Sequence, residues 1–137
     1  MHRRTFLTAT SAAALMPLAA RAYEGTAYAP GVLKQALMQG ETVLLDYYAT
    51  WCTTCAAQHR VIDALIAEHP AYQSKIAWIV VDWDTYKSAD ITRRYKVPRR
   101  STLIALKGDK ELGRIVAGTS KAEIKALLDR ALAAATA

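Results

Sequence analysis

The stretch Val43-Leu44-Leu45-Asp46-Tyr47-Tyr48-Ala49-Thr50-Trp51-Cys52-Thr53-Thr54-Cys55 decides the fold, because an almost continuous apolar run leads directly into two closely spaced cysteines. Residues 43–49 are typical of a strand that is buried on both faces of a sheet. From residue 55 to residue 69 the apolar side chains fall on one helical face, and Pro70 ends that helix. The sequence therefore predicts a strand-to-helix junction that carries both cysteines of the chain.

The patterns on either side of this junction alternate between helix and strand. We expect a helix at 32–39, a buried strand at 76–81, a short helix at 88–95, a hairpin of strands 102–106 and 111–116, and a terminal helix after the Ser120–Glu123 capping box. This order predicts one α/β domain, with a mixed sheet covered by helices on both faces. Such folds place their chemistry at the ends of parallel strands, where the cysteine pair is expected.

Residues 1–22 have the pattern of an export signal. A basic start at residues 1–4 is followed by a mostly apolar or small segment at 6–20, and Ala20-Arg21-Ala22 has the small-x-small form that precedes a signal-peptidase cut. We expect cleavage after Ala22, a mature domain at 23–137 and a periplasmic location. The alternative is an amphipathic helix or an uncleaved anchor, although a membrane span needs about 20 apolar residues. Residues 3–7 also resemble a twin-arginine signal.

Removal of the predicted export signal would lower the net charge of the chain. The whole chain of 137 residues carries a formal charge of +6, but the predicted signal removes three arginines and no acid. The expected mature chain then has 15 basic and 12 acidic residues, a net charge of +3, which argues against a nucleic-acid partner. A hydrophobic content of 53% argues against disorder. The remaining basic residues are concentrated at 93–96 and at Arg99-Arg100.

The two cysteines are better suited to redox chemistry than to holding the fold together. A disulfide across a four-residue loop constrains the unfolded chain by only about 2 kcal/mol, against about 3 kcal/mol for fifteen residues. Cys52 at a helix start faces free N–H groups that favour a thiolate, and a thiolate is the nucleophile that attacks a disulfide. Cys55 lies close enough to resolve the mixed disulfide. Metal binding and an inert bond are the alternatives.

At this point the sequence resembles the thioredoxin superfamily over nearly all of residues 23–137. Residues 43–55 resemble its central strand and active site, residues 81–84 its next strand end, and residues 95–106 and 117–120 its later loop, hairpin and helix entry. The resemblance implies that Cys52 is the exposed attacking cysteine, that Cys55 is the buried resolving one, and that Gly118 lies on the rim of the substrate groove. It also implies substrate contacts for Trp51, which precedes the cysteine pair.

Asp46 is the third predicted catalytic residue. An ionised carboxylate inside a buried strand costs several kcal/mol, so we expect this residue to have a use. The resemblance implies that Asp46 lies behind Cys55 and acts as its general acid and base. The alternative is an aspartate at a strand edge, bonded to the backbone.

The sequence departs from the family pattern at three positions. Ser101 stands where the family has a cis-proline that faces the dithiol, Val80 stands where many members have a lysine paired with the buried aspartate, and Arg60 replaces a helix proline. A cis bond before Ser101 would cost about 3–4 kcal/mol, so the alternative is a trans, reshaped loop. We expect the Ser101 hydroxyl to donate to the Cys52 thiolate, and its backbone to pair with a substrate peptide.

Two further expectations concern the surroundings of the cysteines. Arg99 and Arg100 are expected at the active-site rim, where they would stabilise thiolate and attract acidic substrate segments. His59 is expected at the helix edge beside Asp63. It is also the candidate third ligand in an alternative function, a periplasmic copper- or zinc-binding module that uses the same dithiol.

The sequence favours an exported, monomeric thiol-disulfide oxidoreductase, more as a reductase than as an oxidant. It needs no cofactor, has no resident metal and does not span the membrane after cleavage. The resemblance implies protein disulfide or dithiol substrates, and a membrane electron donor or a cytochrome c maturation protein as partners. A third class is an interaction domain whose redox pair is vestigial.

Overall fold

Five strands form a single mixed sheet in the computed structural model, which describes residues 23–137. Their order across the sheet is β1-β3-β2-β4-β5. The elements in chain order are β1 (Thr26–Ala27), α1 (Val32–Met38), β2 (Thr42–Tyr48), α2 (Thr53–Glu68), α3 (Ala71–Lys75), β3 (Ala77–Asp82), α4 (Trp83–Tyr86), α5 (Asp90–Arg94), β4 (Thr102–Lys107), β5 (Lys110–Val116) and α6 (Lys121–Ala135). The predicted export signal at 1–22 lies outside the described residues.

Strand β2 is the central strand and divides the core into two layers. It pairs in parallel with β3 and antiparallel with β4. Leu44 faces a cluster that includes side chains of α2, α3 and α6, whereas Val43, Leu45 and Tyr47 face a cluster with side chains of α1 and α5. Because strand residues alternate between faces, Asp46 shares the face of Leu44 and points towards α2. The catalytic candidates on β2 and α2 therefore belong to one layer.

The predicted fold class is confirmed, and the predicted helices and strands are present within a few residues of their expected bounds. The sequence analysis missed β1, α3 and α4, which have two, five and four residues. Segments this short lack enough periodic positions to reveal an element. At the end of β3, the Asp82 carboxylate accepts a hydrogen bond from the Asp84 N–H at 3.3 Å and caps α4.

Helix starts at the site and at the C-terminus follow ordinary capping chemistry. The Cys52 thiol is the N-cap of α2 and accepts from the Cys55 N–H at 3.2 Å. The predicted capping serine, Ser120, accepts from the Glu123 N–H at 3.4 Å at the start of α6. Across residues 23–137, none of the helices combines the length and the apolar character needed to cross a bilayer.

Candidate active site

The two cysteines lie where β2 passes into α2, and both are free thiols. Cys55 is completely buried and Cys52 is only 4% exposed. The expectation of an exposed Cys52 is therefore wrong for this structure, because the Ser101 side chain and the small cluster around Ala49 pack against it.

Ser101 holds the two sulfurs together. Its hydroxyl oxygen lies 3.1 Å from the Cys52 sulfur and 3.0 Å from the Cys55 sulfur, and the residue is fully buried. Residues 23–137 contain no cis peptide bond, so the bond before Ser101 is trans and the reshaped loop is the correct alternative. Ser101 has a φ of 62°, a left-handed conformation that is uncommon for a residue with a side chain. The hydroxyl reaches both sulfurs from this conformation.

The backbone of Ser101 is fully used inside the protein. Its N–H donates to the Tyr47 carbonyl at 2.7 Å, and its carbonyl accepts from the Ala117 N–H at 2.8 Å and from the Gln58 amide at 2.9 Å. The pairing of the Ser101 backbone with a substrate peptide stays a prediction, and a substrate would have to replace at least one of these hydrogen bonds.

Gln58 is a functional residue that the sequence analysis missed. It is completely buried on α2, and its amide nitrogen donates to the carbonyls of Ser101 and Gly118, each at 2.9 Å. This single side chain joins the helix to the two loops that approach the cysteines. Its signal in the sequence was a polar residue on the apolar face of a helix, where an uncompensated amide is costly.

The surroundings of the two thiols separate their proton affinities. Burial is the largest influence on the pKa of Cys52 and raises it, but hydrogen bonds from Cys55 and Ser101 prevail and lower the pKa to about 7. The Arg100 side chain acts in the same direction. Burial, together with the hydrogen bond to Cys52, raises the pKa of the Cys55 thiol. Near neutral pH the pair therefore consists of one thiol that ionises readily and one that keeps its proton.

Asp46 is 1% exposed and lies in the central strand, so the alternative of a strand-edge aspartate bonded to the backbone is wrong. One of its carboxylate oxygens, Oδ2, accepts from the Tyr23 hydroxyl and lies 2.6 Å from the His59 Nε2 atom. The other oxygen, Oδ1, is buried and has no hydrogen-bond partner. Val80 lies beside Asp46 in the neighbouring strand, in the register position where the resemblance led us to expect a lysine.

His59 has a different partner from the expected one. We predicted a helix-edge histidine beside Asp63, but Asp63 accepts from the Tyr23 N–H at 2.7 Å while His59 faces Asp46. The ring of His59 also stacks on Tyr48, with the ring centres 4.5 Å apart. His59 lies on the α2 face that is turned towards the sheet, and this explains the difference.

The rim of the site carries an aromatic and a cationic side chain in contact. Trp51 is 56% exposed, and the Arg100 guanidinium lies 4.5 Å from the centre of one of its rings. The Trp51 indole N–H donates to an Asp84 carboxylate oxygen at 2.8 Å, which fixes the orientation of the ring. Arg99 turns back onto the carbonyl of Arg100 at 3.1 Å. Of the two arginines, Arg100 therefore lies against the exposed tryptophan.

Gly118 leaves little space for a side chain. A Cβ atom at this position would lie 2.8 Å from Ile115 and 3.2 Å from Glu123. The Gly118 carbonyl is bound by Gln58, which also binds Ser101, so the predicted rim residue lies close to the cysteine loop.

The dithiol does not belong to a larger metal-binding cluster. Within residues 23–137 no group of three or more His, Cys, Asp or Glu side chains is arranged to hold a metal ion. The His59 Nε2 atom lies within hydrogen-bond distance of Asp46 and Tyr23. His59 is therefore not a third ligand beside the cysteines, and the alternative of a three-ligand metal module loses its support.

The chain that carries this buried dithiol at a strand-to-helix junction is similar to known proteins. The Thioredoxin family model matches residues 27–130. The chain belongs to the thioredoxin family. It is 30% identical over 95 residues to the thioredoxin of Echinococcus granulosus, an alignment that covers 69% of this chain and 82% of the relative. This membership makes it a thiol-disulfide oxidoreductase.

Two further known proteins are similar to this chain. The crystal structure of Trxlp from Edwardsiella tarda superposes with a TM-score of 0.66 and 32% identity, over 77% of this chain and 98% of that one. The thiol:disulfide interchange protein DsbD of Pseudomonas fluorescens is 29% identical over 101 residues, which is 73% of this chain but 17% of the relative. The match to DsbD thus concerns one part of a much longer protein.

Proposed function

We propose that this thioredoxin is an exported reductase of protein disulfides that works through Cys52 and Cys55. The observation that carries the proposal is the pair of opposite pKa shifts around the Ser101 hydroxyl, lowered to about 7 at Cys52 and raised at Cys55. An attacking thiol is most effective when its pKa is close to the ambient pH. The resolving thiol must stay protonated until the mixed disulfide has formed.

The reaction proceeds by two thiol-disulfide exchanges. The Cys52 thiolate attacks one sulfur of the substrate disulfide, forms a mixed disulfide and releases the first substrate thiolate. Cys55 then gives its proton to the Asp46 carboxylate and attacks the Cys52 sulfur, which releases the second substrate thiolate. The substrate gains two electrons, and Cys52 and Cys55 end as a disulfide that an external dithiol reduces. The Ser101 hydroxyl donates to whichever sulfur carries the charge.

The rim supports a preference for substrates with acidic residues near the disulfide. Arg100 contributes a positive charge beside the exposed ring of Trp51, and its Nε atom is buried without a hydrogen-bond partner. A carboxylate that reached this guanidinium would gain a charge-assisted hydrogen bond. Trp51 would at the same time cover apolar parts of the substrate.

The direction of electron flow is inferred from the pKa of Cys52. Strongly oxidising members of this chemistry stabilise their reduced form with a very low pKa at the attacking cysteine, about 3.5, whereas reducing members have a value of about 7. A pKa of about 7 at Cys52 supports the reducing role. The similarity to a thiol:disulfide interchange protein supports exchange with other dithiol proteins as the source of electrons. A membrane electron donor and a cytochrome c maturation partner remain part of this proposal.

Export to the periplasm is supported by the signal pattern at residues 1–22. Cleavage after Ala22 would make Tyr23 the first residue of the mature protein. The Tyr23 nitrogen lies 2.7 Å from an Asp63 carboxylate oxygen, so a new terminal ammonium would arise beside a carboxylate. The mass of the protein recovered from a periplasmic extract tests this cleavage site directly.

The function is tested by reduction of a disulfide-bonded protein substrate, with the Cys52→Ser, Cys55→Ser and Asp46→Asn variants beside the wild type. We expect no turnover for the two cysteine variants, and accumulation of a mixed disulfide with Cys55→Ser alone. Asp46→Asn should slow resolution while leaving attack by Cys52 largely intact. The reduction potential of the Cys52–Cys55 couple, measured at equilibrium with a glutathione buffer, gives the direction of electron flow. A potential close to that of strong oxidants, or turnover that survives loss of both cysteines, would contradict the proposal.

A further inference from the structure

Two side chains from distant parts of the chain meet at the buried Asp46. The Tyr23 hydroxyl and the His59 ring both contact the same carboxylate oxygen, Oδ2, and these two partners lie 3.0 Å from each other. Tyr23 packs edge-on against His59 and also contacts Trp78, with ring centres 4.9 Å and 4.8 Å apart. The tyrosine is therefore held by its ring as well as by its hydroxyl.

The protons in this cluster are assigned by its chemistry. Burial, and after it the neighbouring Asp46 carboxylate, raises the pKa of Tyr23 far above its ordinary value, so its hydroxyl stays protonated and donates to Oδ2. With that proton committed to Asp46, the His59 Nε2 atom serves Oδ2 best as an N–H donor. Oδ2 thus accepts two hydrogen bonds, and Oδ1 accepts none.

The unpartnered oxygen is the atom available to take a proton. Oδ1 is buried among residues of the α2 layer, and Cys55 precedes His59 by one helical turn on α2. A carboxylate whose Oδ2 is already bound by two donors can turn only its Oδ1 towards an acid. His59 is 23% exposed, whereas Asp46 is almost fully buried, so the imidazole links the carboxylate to solvent.

We propose that Tyr23 and His59 are positioning residues that fix the orientation of the Asp46 carboxyl group, with Oδ1 free to accept the Cys55 proton. This inference rests on the proposed role of Asp46 in resolution. The two donors replace the charged partner that is absent at Val80.

Few other ionisable groups surround His59. Tyr48 stacks on the imidazole from the end of β2, and Asp63 on α2 binds the Tyr23 nitrogen. Asp46 and Tyr23 complete the set, with Cys55 one turn away on the same helix. Of these groups, only Tyr23 and His59 donate to the Asp46 carboxylate.

The test uses an aromatic disulfide reagent whose thiolate product is coloured, added to the reduced protein in a stopped-flow instrument. The first phase, which depends on reagent concentration, reports attack by Cys52 and releases one coloured thiolate. The second phase is unimolecular: Cys55 loses its proton, attacks Cys52, and releases the second coloured thiolate as the disulfide forms. The pH dependence of the two phases therefore separates attack from resolution.

We expect Tyr23→Phe and His59→Leu each to slow the second phase about tenfold at neutral pH, because each removes one of the two hydrogen bonds that orient the Asp46 carboxyl group. The first phase should change less than about twofold. His59→Gln should recover most of the rate, since its amide can still donate to the carboxylate.

Tyr28→Phe is the matched control for Tyr23→Phe, and it changes a tyrosine that packs on Tyr86. His69→Gln is the matched control for the His59 variants, and it changes the histidine at the C-terminal end of α2. Both controls should behave as the wild type. An unchanged second phase in Tyr23→Phe and His59→Leu, or equal slowing of both phases, would overturn the inference. If Asp46→Asn also left the second phase unchanged, the proposed role of Asp46 would fail with it. Slow resolution in Asp46→Asn alone would refute only the positioning role.

Discussion

Replacing Ser101 by alanine removes one oxygen atom that lies within 3.1 Å of both active-site sulfurs. A hydrogen bond to a charged group contributes about 1.5–3 kcal/mol, and one pKa unit corresponds to about 1.4 kcal/mol. Because this hydroxyl is shared between two sulfurs, we take the lower end, a change of about one unit. The pKa of Cys52 should therefore rise from about 7 to about 8.

The expected loss of attack rate is smaller than the tenfold change in proton affinity that one pKa unit represents. At neutral pH the thiolate fraction of Cys52 would fall about fivefold, but the more basic thiolate is about threefold more nucleophilic, since nucleophilicity follows pKa with a slope of about 0.4–0.5. The net loss of attack rate is about twofold. The pH profile of alkylation, measured from acid to alkaline pH, is therefore the decisive assay rather than turnover at one pH.

Two control variants separate the hydroxyl from the backbone. Ser101→Gly loses the same hydroxyl but accommodates the positive φ, so it should show the same pKa as Ser101→Ala with a free energy of unfolding higher by about 1 kcal/mol. Ser120→Ala removes a helix-capping hydroxyl far along the chain and should leave the pKa of Cys52 unchanged. An alkylation midpoint that stays at about 7 in Ser101→Ala would refute the role given to this hydroxyl.

Three further predictions follow from contacts around the dithiol. Arg100→Gln should raise the pKa of Cys52 by less than one unit and reduce the preference for acidic over basic peptide disulfides, measured by competition; an unchanged preference would leave Arg100 as a surface residue. Gln58→Leu should lower the free energy of unfolding by about 1–3 kcal/mol in urea, because Ser101 and Gly118 each lose a hydrogen bond; equal stability would contradict the bridging role. Below pH 7 the reduction potential should fall by about 59 mV per pH unit, because reduction of the disulfide binds two protons. Above pH 7 it should fall by about 30 mV per pH unit, because the Cys52 thiolate leaves only one proton to be bound. A single slope across this range would contradict the lowered pKa of Cys52.

The features that could be predicted from the sequence are those that local patterns carry. About thirty consecutive residues contain the apolar run of β2, the helical face of α2 and the cysteine pair. Their arrangement therefore follows from the periodicity of the sequence and from the stabilisation of a thiolate by a helix N-terminus. Asp46 could be identified for the same reason, since a single carboxylate inside a buried strand is costly. These features also determine the fold class.

The contacts that could not be predicted from the sequence join residues that are far apart along the chain. Tyr23 precedes Asp46 by 23 positions, in a segment without a recognisable pattern, and only the completed sheet brings the two together. His59 was assigned to Asp63 because an i,i+4 pair is the only partner that a helical pattern reveals. Its actual partner lies on the strand beneath the helix. Gln58 could have been identified, because a polar side chain on a buried helical face must find partners.

The loss of the family proline at Ser101 changes what holds the active-site loop in place. Serine provides an N–H that donates to the Tyr47 carbonyl at 2.7 Å, and this bond lies on the central strand that leads to the cysteines. Proline has no N–H and requires a φ near −65°, whereas Ser101 has a φ of 62°. Restoring the proline should therefore not restore an ordinary thioredoxin loop.

We expect Ser101→Pro to be less stable than Ser101→Ala by about 1–3 kcal/mol, because it leaves the Tyr47 carbonyl without its donor and forces the loop to rearrange. Urea unfolding of the reduced forms measures the difference, with Ser101→Ala as the reference because both variants lack the hydroxyl. Equal or greater stability of Ser101→Pro would mean that the loop can adopt the proline geometry at little cost. In that case the hydrogen bonds to Tyr47, Ala117 and Gln58 are consequences of the serine rather than the cause of the reshaped loop.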